Sequence, residues 1–225
     1  VWEDATTKYG FGHRRTYLLG KGLDSVMNYP FKNAVLDFVK GKPAQQAMNE
    51  ILSICEHYPA PALNTALNFL STHDTERALT VIADEPANGR GREWQSGRNV
   101  SGEAYEEGML RLRMAYAIIY TLPGLPCLYY GDEIGMQGYR DPFNRGYYCW
   151  DSHEERLKPV LAQLAQLRHS CEAFRTGALR VLRAEGGVLH YQRVGATETA
   201  EIIVNRSEHI IVEPLASGKH TEVNP

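Results

Sequence analysis

No apolar run in the chain approaches the roughly 18 residues that a membrane-spanning helix needs. Cysteine is scarce. The four present, Cys55, Cys127, Cys149 and Cys171, form no C-x-x-C pair, which argues against a zinc ribbon or a thioredoxin-like site. Scattered thiols in a chain of 225 residues read as reduced, structural core residues, which favours a cytoplasmic setting. A basic excess is missing too: 24 Lys and Arg stand against 27 Asp and Glu, a net charge of −3. A phosphate-gripping nucleic-acid binder usually shows a positive balance or stripe, so neither nucleic acid nor membrane is an expected partner. Low-complexity and collagen-like segments are absent, and 43% hydrophobic with 23% charged residues is ordinary globular composition. The start, Val1-Trp2-Glu3-Asp4, has no Met, basic region or apolar stretch, and reads as the interior of a longer polypeptide.

What is present is an alternation of short apolar runs with longer helical patterns. Leu23–Tyr29 reads as a strand halted by Pro30, Ala66–Leu70 as a second and Leu125–Tyr130 as a third. Helical spacing runs through Ala34–Val39, Gln45–His57, Glu103–Tyr120 and Leu157–Phe174. Between residues 84 and 101 the chain is polar and broken by Gly and Pro, as in an exposed excursion. Strand followed by helix, repeated three times, predicts parallel βαβ units. After Gly177 the texture changes to short strands with turns, Leu179–Leu182, Gly187–Val194, Ala200–Val204 and His209–Val212, which predicts a small antiparallel β domain. The expected division is therefore residues 1–176 and 177–225. A complete (β/α)₈ barrel takes about 250 residues. Three readable units in the first 176 residues suggest about strands 6–8 of one.

Three stretches carry chemistry. Asn68-Phe69-Leu70-Ser71-Thr72-His73-Asp74-Thr75-Glu76-Arg77 delivers a His and a carboxylate at the C-terminal end of a strand, where barrel active sites are built. A bare His-Asp dipeptide is also compatible with a polar loop cap, or with the ligand pair of a metal-dependent phosphohydrolase. The latter has no further acidic ligand at suggestive spacing here. Leu122 to Met136 again ends a short strand in carboxylates and glycines, with Asp132 and Glu133 expected on the rim. The third stretch, Asp141-Pro142-Phe143-Asn144-Arg145, places Asp and Arg four apart. Such a pair either meets in solvent or grips vicinal hydroxyls, the carboxylate accepting and the guanidinium donating.

In series, and together with Trp2-Glu3-Asp4-Ala5 and Asp24 to Phe31, these stretches resemble the α-amylase superfamily of glycoside hydrolases, in particular its neopullulanase, cyclomaltodextrinase and pullulanase-like branch. The resemblance covers essentially the whole chain. It implies the C-terminal part of a (β/α)₈ TIM barrel followed by a small antiparallel β-sandwich-like domain. It further implies retaining chemistry at α-1,4, and in some members α-1,6, glucosidic bonds of maltodextrins, cyclodextrins or pullulan. Retaining enzymes need two carboxyl groups about 5–5.5 Å apart, one as nucleophile and one as acid. By resemblance both lie upstream of these residues, the acid directly before Val1. What this chain is expected to contribute is Asp74 as transition-state stabiliser, with His73 donating to the same sugar hydroxyls. Asp141 and Arg145 are the expected grip on a glucose toward the non-reducing end. Trp2 is an expected stacking platform or, equally, a buried barrel-rim aromatic, and Tyr29 is an expected cleft residue or else ordinary core. No cofactor and no metal is expected. The implied partners are an α-glucan oligosaccharide and the N-terminal half of the same enzyme, or a symmetry mate, covering open barrel edges. The chain alone is expected to be inactive. The alternative is a non-catalytic α-glucan-binding or interaction module.

Overall fold

The structure, a computed structural model, describes residues 20, 22–207 and 209. Trp2 and the expected strand segment Ile210–Val212 lie outside the described residues. The order is α1 (Tyr29–Lys40), α2 (Ala44–His57), α3 (Ala60–Thr65), β1 (Leu67–Asn68), α4 (Ala78–Ala83), α5 (Arg92–Gln95), α6 (Gly102–Thr121), β2 (Leu125–Pro126), α7 (Leu157–Ser170), α8 (Glu172–Thr176), β3 (Ala178–Glu185), β4 (Val188–Val194) and β5 (Thr199–Asn205).

Two of the three expected parallel strands are present, both short, and the first, Leu23–Tyr29, is reduced to a single bridge. Met27 bridges Leu67 in parallel, and β1 pairs β2 in parallel with Leu67 opposite Leu125. Backbone bonds stitch the three chains: Leu67 N–H to Val26 O at 2.9 Å, Leu125 N–H to Ala66 O at 2.7 Å and Cys127 N–H to Asn68 O at 2.7 Å. Side chains repeat the same links one layer in. Asn28 Nδ2 donates to Asn68 Oδ1 at 3.0 Å, and Asn68 Nδ2 donates to Pro123 O at 2.6 Å, all with no exposed surface on either asparagine. Buried amides are tolerated because each is spent on a neighbour. The tightness of this corner also explains Gly124: its φ is +108°, and a Cβ there would lie 2.7 Å from Ala66 O.

Pro30 does not halt a strand; it opens a helix. Asn28 caps α1, its Oδ1 accepting from Phe31 N–H at 3.2 Å, and Pro30 occupies the first turn, where its missing N–H costs nothing. The expected Leu157–Phe174 helix is two, broken at extended Cys171. The polar excursion contains the single turn α5, where the guanidinium groups of Arg90 and Arg98 each lie 4.4 Å from the Trp94 ring centroid.

Helices α1, α2, α4, α6 and α7 cover the parallel strands with a continuous core that includes Phe31, Phe38, Met48, Ile51, Leu79, Ile118 and Leu164. The C-terminal strands form an antiparallel meander in the order β3-β4-β5. Its inward residues Ala184, Leu189, Tyr191 and Val204 belong to that same core. Two buried arginines join the layers. Arg193 donates to Gly177 O at 2.7 Å and Thr121 O at 2.6 Å, while Arg168 donates to Tyr120 O at 2.9 Å and to Gly124 O. They satisfy carbonyls that the end of α6 leaves open and place positive charge at its negative pole.

All four cysteines are free. Burial pushes the Cys55 thiol up to about 12 and also raises Cys127 and Cys171, whereas Cys149 is exposed. Since the thiolate is the reactive form, an aromatic disulfide reagent at pH 8 is expected to modify Cys149 rapidly and the rest slowly. Uniform labelling of all four would contradict this packing.

Candidate active site

The site forms where two loops meet above the C-terminal ends of β1 and β2. The loop after β1 carries His73 and Asp74, whose side chains are 58% and 56% exposed. His73 Nε2 lies 3.2 Å from Asp74 Oδ2. From the loop after β2, Arg145 reaches across. Its Nη2 is 3.6 Å from Asp74 Oδ1, and its Nε is 3.4 Å from Asp141 Oδ1 and donates to His73 O at 3.0 Å. Four of the six expected site residues are thus brought together around one guanidinium. Tyr29 stands beside them as the first residue of α1, its hydroxyl 3.5 Å from Thr72 Oγ1 and its ring edge-to-face with Phe69 at 4.8 Å.

Beneath this exposed layer is a buried one that sequence reading missed. Arg77 has no exposed surface, and its guanidinium carbon lies 4.4 Å from the Tyr129 ring centroid and 4.7 Å from that of Tyr130. Its Nη1 donates to Tyr130 O and sits 3.4 Å from Asp132 Oδ1. Asp132 is 1% exposed, so it is no rim carboxylate; its second oxygen accepts from Tyr116 O–H at 2.6 Å. Gly131 permits the turn that delivers Asp132, with φ +86° and a would-be Cβ only 2.2 Å from Met136 Sδ. Arg77, Asp132 and Asn144 all lie inside the stretches singled out from sequence, and that proximity was their only signal.

Burial raises the Asp132 carboxyl to about 6, against bonds from Tyr116, Ser71 and Arg77 that oppose the shift. Because the folded value lies above the unfolded one, the stabilising contribution is complete below pH 3.8 and is lost as pH rises through 6. The margin by which the native chain outlasts Asp132→Asn in urea is therefore expected to shrink by about 2 kcal/mol between pH 4 and pH 7. A constant margin would contradict it.

Two exposed acids and a bridging arginine at strand ends suit hydroxyl-rich ligands. The model of the α-amylase catalytic domain matches residues 8–176. The chain belongs to the α-amylase family. It is thereby a member of a glycoside hydrolase family whose catalytic domain is a TIM barrel, and the metal phosphohydrolase reading of His73-Asp74 lapses. Among α-amylase relatives, the amylopullulanase of Thermoanaerobacter thermohydrosulfuricus is 34% identical over 78% of this chain and 12% of its own length. The cyclomaltodextrinase of Geobacillus thermopakistaniensis is 30% identical over 97% of this chain and 33% of its own. Among solved structures, the cyclic α-maltosyl-(1→6)-maltose hydrolase from Arthrobacter globiformis superposes with a TM-score of 0.70 at 28% identity, covering 85% of this chain and 39% of that one. The chain thus spans about a third or less of the curated relatives named here.

Proposed function

We propose that this chain supplies the transition-state stabiliser and sugar grip of a retaining α-glucan hydrolase acting on maltodextrins, cyclodextrins or pullulan. In this reading residues 1–176 are about strands 6–8 of the barrel with their helices, and residues 177–225 belong to a β-sandwich-like domain. The observation that carries it is Arg145, which gathers His73, Asp74 and Asp141 into one open constellation. Asp74 is the group that meets the C2 and C3 hydroxyls of a glucose as its ring flattens and becomes positive. A fixed carboxylate there gains strength as charge develops, which is where electrostatic catalysis acts. His73 donates to the same hydroxyls. Asp141 and Arg145 hold a neighbouring glucose, the acid accepting from paired hydroxyls and the guanidinium donating a fork.

In this reading neither Asp74 nor His73 serves as nucleophile or leaving-group acid, and both of those roles fall to residues outside these 225. The same reading assigns the edges of the parallel ladder, which no described strand covers, to the N-terminal half of the enzyme. Leu125 on β2 is 44% exposed and Leu128 just beyond it 37%, apolar surface that an open sheet edge presents to a partner. Maltotriose titrated into the chain and followed by calorimetry tests the grip. Millimolar binding that weakens at least about tenfold in Arg145→Ala is expected. Wild-type affinity in that variant would refute the assignment of Arg145 to sugar.

A further inference from the structure

We propose that Arg77 and Asn144 are positioning residues that lock the two site loops together and thereby set where Arg145 meets Asp74 and Asp141; the role given to that meeting rests on the function proposed above. Each comes from one loop and grips the backbone of the other. Arg77, four residues after His73, sends its Nε–H to Asn144 O at 3.1 Å, its Nη1 to Tyr130 O and its backbone N–H to Gly138 O at 2.9 Å. All three acceptors are in the loop after β2. Asn144 answers in the opposite direction, its Nδ2 lying 2.9 Å from His73 O and 2.7 Å from Thr75 O. Those carbonyls flank Asp74 on both sides.

Neither side chain can touch a sugar, because neither has exposed surface. Their effect on the site passes through chain connectivity. Arg145 follows Asn144 directly, and its Nε–H donates to the same His73 carbonyl. A loop released from Asn144 therefore carries Arg145 away from Asp74 and His73 together. An apolar seam would join the loops without burying a guanidinium, but it would not fix their register. Directional bonds to carbonyls do. The planar Arg77 fork packs against both the Tyr129 and the Tyr130 rings and is opposed by Asp132, contacts that restrict its orientation.

The test uses the 225-residue chain labelled with ¹⁵N, with Asn144→Ala and Arg77→Lys as variants, the second keeping a buried cation should the first fail to fold. The Arg145 Nε–H resonance reports its bond to His73 O. In both variants it is expected to move toward the position of a free arginine and exchange faster, while resonances of the α2 core around Ile51 stay in place. Maltotriose affinity is expected to fall at least tenfold. Variants that lower only the melting temperature, with the Arg145 Nε–H signal and maltotriose affinity unchanged, would reduce both residues to ordinary structural contacts and overturn the proposal. Should the native chain bind no maltotriose while the Nε–H signal still moves, the positioning holds and the sugar assignment falls.

Discussion

Asp74→Asn is expected to lower kcat of the enzyme containing this chain by roughly 10²–10³, with maltotriose affinity changed far less. Asparagine keeps the shape and a hydrogen-bonding oxygen but removes the negative charge. The ground-state sugar is neutral, so its hydroxyls still find an acceptor. The flattened ring at the transition state is positive, and it loses the interaction that strengthens only there. Arg145, 3.6 Å from the Asp74 carboxylate, keeps Asp141 at 3.4 Å, so the grip persists. Steady-state rates on γ-cyclodextrin check this. A raised KM with unaltered kcat would make Asp74 a ground-state binder and remove it from the transition state.

The second large effect is on stability. Arg193→Met is expected to destabilise the chain by about 3 kcal/mol, lowering the melting temperature by roughly 10 °C. Methionine fills much of the volume, so the cost isolates the hydrogen bonds. Gly177 O and Thr121 O, which accept from Arg193 at 2.7 and 2.6 Å, would be left buried without donors. Opposing this is the desolvation that pulls the Arg193 guanidinium down to about 10. The carbonyl bonds outweigh it because two orphaned acceptors cost about 1–3 kcal/mol each. Tyr191→Phe, which removes only the 2.6 Å bond to Thr121 Oγ1, is the mild comparison at about 1 kcal/mol. An Arg193→Met chain as stable as the native one would mean that desolvation dominates.

Much of this architecture is legible in the residues. The parallel order of Met27, β1 and β2 follows from three apolar runs separated by helical ones, and the meander from the change of texture after Gly177. Strand length is not legible, because a strand is defined by its partner and the apolar runs extend beyond the ladder. Pro30 misled for a related reason: it stops a strand and starts a helix equally well, and only the Asn28 cap decides between them. In β4, Leu189, Tyr191 and Arg193 share the inward parity, so alternation alone places an arginine in the core. What it meets there, the open end of α6, is set more than 70 residues away.

The site divides in the same way. His73, Asp74, Asp141 and Arg145 stand out because polar groups at strand ends in short motifs point to chemistry. Their convergence on one guanidinium is a tertiary fact. Arg77 and Asn144 sit in those motifs without a chemical signature of their own. Burial of Asp132 was misread as rim exposure because its partners, Arg77 and Tyr116, approach from two other elements.

The most direct test of the central claim is reducing-sugar release from γ-cyclodextrin by this chain, alone and after addition of the N-terminal half of a related cyclomaltodextrinase. No release alone and clear release from the mixture, lost again with Asp74→Asn, is the predicted result. Turnover by the isolated chain that disappears in Asp74→Asn would contradict the account, because nucleophile and acid would then lie within these 225 residues.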